Sequence, residues 1–75
     1  MLVCLGSPTN RVAVPAGVLR GIRRAQEAPG VDKYSTFGVI VSASGLGEDE
    51  ALDWLLMNPL RYLDGVSNGF IEELN

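Results

Sequence analysis

GLGEDEALDWLLMNPLRYLDGVSNGFIEELN, residues 45–75, decides the fold. Glu48, Asp49 and Glu50 form an acidic first turn, which suits the positive end of a helix dipole. Ala51, Trp54, Leu55 and Asn58 follow at spacings of three and four, and Leu52, Leu55, Leu56 and Pro59 make an adjoining stripe. Two stripes side by side predict a largely buried helix. Asn58-Pro59 ends it, because the proline ring keeps the preceding residue out of the helical region. The same pair can start a new helix, with Asn58 as cap and Pro59 at the first position. Leu60 and Leu63 are expected to face inward from that helix, and Gly65 to take the left-handed position after its last turn. Ser67 or Asn68 then caps a last helix with Phe70, Ile71 and Leu74 on one stripe.

Upstream, Pro15 to Ala28 reads as the first helix. Val18, Leu19, Ile22 and Ala25 form its inner stripe, with Arg20, Arg23 and Arg24 opposite. Gly17 and Gly21 each weaken it by roughly 1 kcal/mol relative to Ala, but four apart they allow a close neighbour. Pro29-Gly30 stops it. Ser35–Ser44 is ambiguous. Phe37, Val39, Val41 and Ala43 alternate as in a strand, while Phe37, Ile40, Val41 and Ser44 fit a helix capped by Ser35 or Thr36. Met1–Leu5 and Arg11–Val14 are short apolar runs that suit a hairpin or an extended arm.

With 75 residues, 47% of them apolar and 20% charged, the chain reads as one small globular domain: residues 1–14 an arm, 15–75 a helical body. So small a core is marginal alone, and a partner or a homodimer would help it. The lone Cys4 has no internal disulfide partner, and there is no His. Together they suggest a reducing, cytoplasmic setting. No apolar run reaches a membrane-spanning length, and the N-terminus lacks a secretory pattern. The net charge of −3 divides unevenly, about +3 over residues 1–45 and about −6 over 46–75.

Val41, Gly45, Leu46, Ala51, Trp54 and Leu55 have the spacing of a helix-turn-helix, which selects helix for residues 35–44. Its second helix would be the groove reader, yet it opens on three carboxylates, the wrong sign for a polyanion. The arginines Arg20, Arg23 and Arg24 offer a separate nucleic-acid patch, without interleaved aromatics. Catalysis is not expected. No His is present to act as an acid or base, Cys4 lacks a His to activate it, and no phosphate-binding Gly loop occurs. No cofactor or metal is expected either.

Gly47-Glu48-Asp49-Glu50-Ala51-Leu52-Asp53-Trp54-Leu55, followed by Asn58-Pro59, Leu63 and Gly65, resembles the toxin-binding domain of Xre/MbcA/ParS-type antitoxins. The resemblance spans Gly47 to Leu74. One extra residue precedes Leu63, and Asn68 and Gly69 stand near a proline that the family has. The resemblance implies an antitoxin that occludes a toxin enzyme, commonly one that consumes NAD. It implies fold-building roles for Ala51, Trp54, Leu55, Pro59, Leu63 and Gly65, and partner contact by Phe70, Glu72, Glu73 and Asn75. As a core residue, Trp54 would cost roughly 3 to 5 kcal/mol on truncation to Ala. The expectation is thus a mainly α domain of three or four helices with an N-terminal hairpin, or else an α+β fold. Its expected function is protein-binding inhibition. A DNA-binding regulator and a phage-type inhibitor of a host enzyme are the alternatives.

Overall fold

Val12, Ala13 and Val14 alternate buried, exposed, buried, as a strand with one face on a core must. They form β1 in the structure, a computed structural model that describes residues 11–73. Four helices follow: α1 (Ala16–Glu27), α2 (Thr36–Leu46), α3 (Asp49–Met57) and α4 (Pro59–Asn68). A second strand, β2 (Phe70–Glu72), pairs in parallel with β1, Val12 opposite Phe70 and Val14 opposite Glu72. The domain is mainly α, with the four helices forming the crossover between two short strands. Such a two-stranded pair is marginal by itself. Here Val12 and Val14 bury their side chains in the common core, and Glu73 N–H donates to Val14 C=O at 2.7 Å.

α1 is the hub and touches α2, α3 and β2. Its expected stripe, Val18, Leu19, Ile22 and Ala25, is buried throughout. The two glycines permit the close approach their spacing suggested. A Cβ at Gly21 would lie 2.6 Å from the Cβ of Ala51, and one at Gly17 would meet the Glu50 carboxylate. Ala51 of α3 therefore seats directly on α1, which a larger residue at Gly21 would prevent.

Residues 36–46 are helical. Ser35 Oγ accepts from Gly38 N–H at 3.1 Å and caps α2. At the other end Gly47 takes φ 73°. Its N–H donates to Ser44 C=O, and Glu48 N–H donates to Ala43 C=O, the paired bonds of a Schellman stop. The turn thus lies two residues beyond Gly45, which stays inside the helix. Ser42 Oγ donates to Ala25 C=O at 2.9 Å and fastens α2 to the end of α1.

The C-terminal third departs from expectation in four ways. The last helix is absent, because Gly69 (φ 103°) breaks the chain after Asn68 and Phe70–Glu72 extends to pair with β1. Gly65 is not a helix stop. It lies within α4, where the Phe70 ring occupies the space a side chain would need. Leu60 and Leu63 face outward, since the inner face of α4 carries Tyr62, Gly65 and Val66 instead. On α3 only Ala51 and Leu55 are fully buried, and Leu56 and Pro59 are exposed, so the covered face is narrower than two stripes. Val12–Val14 is extended as expected, with β2 as its described partner; the other half of the expected hairpin, residues 1–5, lies outside the described residues.

Candidate partner-binding surface

α3 and α4 meet at Asn58, and the joint is tight. Pro59 occupies the first position of α4, while Asn58 Nδ2 turns back to donate to Trp54 C=O at 3.0 Å. Asn58 therefore closes α3 instead of capping α4 with its side chain. This short corner leaves four large apolar side chains outside. Met57 is 80% exposed, Leu60 75%, Leu56 59% and Leu63 38%. Leu60 and Leu63 are one helical turn apart on α4, and Met57 immediately precedes the joint. Beside Met57 runs an open groove of about 440 Å³ with Val18, Trp54 and Asn58 in its lining and Glu50 and Asp53 at its edge. Its size is in the usual range for small-ligand pockets, and a single large side chain of a partner would fit it.

Trp54 is half-buried, not enclosed. Its ring meets Phe70 edge-on, 6.3 Å between centroids, and the Phe70 ring lies 5.8 Å from that of Tyr62. Trp54 thus faces the groove on one side and braces β2 on the other. Phe70 is partly buried, packed in this aromatic cluster and over Gly65. Glu72 and Glu73 are exposed at the end of β2. Asn75 lies outside the described residues. Of the expected fold-building set, Ala51, Leu55 and Gly65 are buried, while Pro59 and Leu63 are exposed because α4 turns its other face inward.

Tyr62 is the residue that sequence reasoning missed. It is the largest fully buried side chain. Its hydroxyl donates to Lys33 C=O at 2.6 Å and accepts from Gln26 Nε2 at 2.9 Å, so α4 is bonded to both α1 and the connector between α1 and α2. Burial pushes the phenol's pKa up; the Gln26 hydrogen bond opposes this and the nearby Asp32 charge reinforces it. The only cue in the sequence was a Tyr three residues after a helix-starting Pro, with Gly65 and Val66 continuing its stripe.

Arg20, Arg23 and Arg24 are all exposed on α1. They do not form one free patch, because Arg24 pairs with Glu48 at the start of α3. The helix-turn-helix spacing is present as two helices but not as its packing: Val41 points to solvent and Ala51 seats on α1. Asp49, Glu50 and Asp53 are exposed along α3 and present negative charge where a groove reader needs the opposite. A second apolar concavity, about 530 Å³, lies between the end of α1 and the outer face of α2, where Phe37 and Val41 are exposed. No described helix is long and apolar enough to cross a membrane, and no metal-ligating cluster occurs among the described residues. Comparison with protein families, characterised proteins and solved structures finds no match.

Proposed function

We propose that the chain is a small cytoplasmic protein-binding module that inhibits its partner by occlusion, with no catalytic activity of its own. The observation that carries this reading is the corner of α3 and α4. Leu56, Met57, Leu60 and Leu63, within eight residues across the joint, are all exposed, and Met57 lines a groove that also holds Glu50 and Asp53. Apolar side chains clustered on the surface of a small domain mark interaction sites, and the acidic edge favours a partner that presents an apolar side chain among cations. The antitoxin-like run contains this corner and favours a toxin enzyme as the partner, while the contact residues the resemblance implies, Phe70, Glu72, Glu73 and Asn75, lie beyond the corner; a host enzyme would be bound by the same mechanism. Native co-purification tests the reading. An enriched partner at near-equal stoichiometry supports it, and a chain that elutes alone at every concentration opposes it. A self-associating chain would instead elute earlier as concentration rises. A gel shift that weakens steeply with salt would favour the DNA alternative.

A further inference from the structure

Three cations from three separate segments converge on the junction of α4 and β2. Arg23 of α1 and Lys33 of the connector line a cavity of about 160 Å³ there. Arg11, outside the lining itself, lies against Gly69, its side chain 3.6 Å from where a Cβ would sit. The protein has only 6 cationic side chains and is acidic overall, yet two of them line this cavity and a third lies beside it. Among the described residues neither Arg23 nor Lys33 is in an ion pair, whereas Arg24 on the next position is. Among the described residues no carboxylate lines the cavity. The nearest acid along the chain, Asp32, accepts from Tyr34 N–H at 2.9 Å, and Lys33 Nζ sits 5.5 Å from the centre of the Tyr34 ring. Glu72 is on the strand face of Phe70 but two residues further on, towards Val14.

The rest of the lining is Gln26, whose amide is turned to the Tyr62 hydroxyl, and an apolar or backbone floor of Val66, the Phe70 ring, Gly65 and Gly69. The two glycines keep this floor open, since a side chain at Gly65 would collide with Phe70. We propose that this cavity is a binding site for a small organic oxyanion, a phosphate monoester or carboxylate on a compact apolar body. Arg23 and Lys33 would hold the anionic head, and Phe70 and Val66 would cover the body. The volume is below that of drug-sized pockets, which confines the ligand to fragment size. An arginine fork with a lysine beside it is the usual protein complement to such a head group. The site shares no residue with the α3–α4 corner and stands independently of the proposed partner.

The test is an amide NMR titration of the full chain with phenyl phosphate, benzoate and inorganic phosphate. Phenyl phosphate or benzoate is expected to shift Gly65, Val66 and Gly69 saturably. Inorganic phosphate should bind about tenfold more weakly, because it leaves the apolar floor uncovered. Arg23→Gln and Lys33→Gln, both at exposed positions, should each raise the half-saturating concentration about tenfold. Arg20→Gln, the same charge change outside the cavity, should alter it less than about twofold. Shifts that do not saturate, equal binding of inorganic phosphate, or an equal loss in Arg20→Gln would each overturn the site. Loss in only one of the two lining variants would also do so, since both cations are required.

Discussion

Tyr62 couples three segments through one hydroxyl, so its removal should be felt well beyond its volume. Tyr62→Phe leaves the Gln26 amide and the Lys33 carbonyl without their partner, which should destabilise the fold by about 1–3 kcal/mol at neutral pH. The raised pKa sets the sign of the pH dependence. The neutral phenol is the form favoured in the fold, so its contribution is complete below the unfolded value of about 10 and is lost as pH rises through the folded one. Chemical denaturation across pH 8 to 11 should show the gap between wild type and Tyr62→Phe narrowing above about pH 10. A gap that stays constant would mean that the hydroxyl is not held as the structure has it. Glycines give a second contrast at this scale. Gly21→Ala gains helix propensity yet should lower stability by about 1–3 kcal/mol, because its Cβ meets Ala51. Gly45→Ala, with open space around it inside α2, should raise stability by roughly 0.5–1 kcal/mol. Thermal melts with opposite signs check both.

At the scale of elements, the aromatic cluster joins α3, α4 and β2. Trp54→Ala removes the edge contact with Phe70 but opens a site already partly in solvent. The expected cost is therefore about 2 kcal/mol, below that of a fully enclosed Trp. A melt showing a folded but weakened variant fits; an unchanged midpoint would detach Trp54 from the fold altogether. α1, α3 and α4 were legible in the sequence because each carried its own local signals. In α1 the apolar residues fall on one stripe and the arginines on the other. In α2 the local signals were divided between strand and helix, and the Gly47 stop that, with the Ser35 cap, outweighs the alternating valines was not read from the sequence. α4 was legible as a helix but not in its orientation. Its leucines carry the stronger hydropathic signal, while its true inner face rests on a Tyr with a polar end and a Gly with no side chain. β2 gave no local sign, because its pairing partner lies at the other end of the domain and three residues do not establish a period. The same non-locality hid the Phe70 position and the cation cluster around Gly69.

Across the whole molecule, charge and apolar surface are segregated. The described cations Arg11, Arg23 and Lys33 surround the α4–β2 junction, and the carboxylates Asp49, Glu50 and Asp53 line the exposed side of α3. Arg24 and Glu48 form the one ion pair found among the described residues, so most of the charge of both halves is left unpaired there. An exposed pair of that kind contributes about 0–1 kcal/mol, so the segregation costs the fold little and leaves each surface available. The most direct test of the account is quantitative capture from the native host by wild type and by the double variant Met57→Lys with Leu60→Lys. Both positions are exposed, so the variant should melt within about 0.5 kcal/mol of wild type. The account predicts that wild type retains a partner at near-equal stoichiometry and that the double variant loses it at least about tenfold. Glu72→Ala with Glu73→Ala, away from the corner, should keep it. Retention of the same partner by a folded Met57→Lys, Leu60→Lys variant would contradict the assignment of the α3–α4 corner as the binding surface.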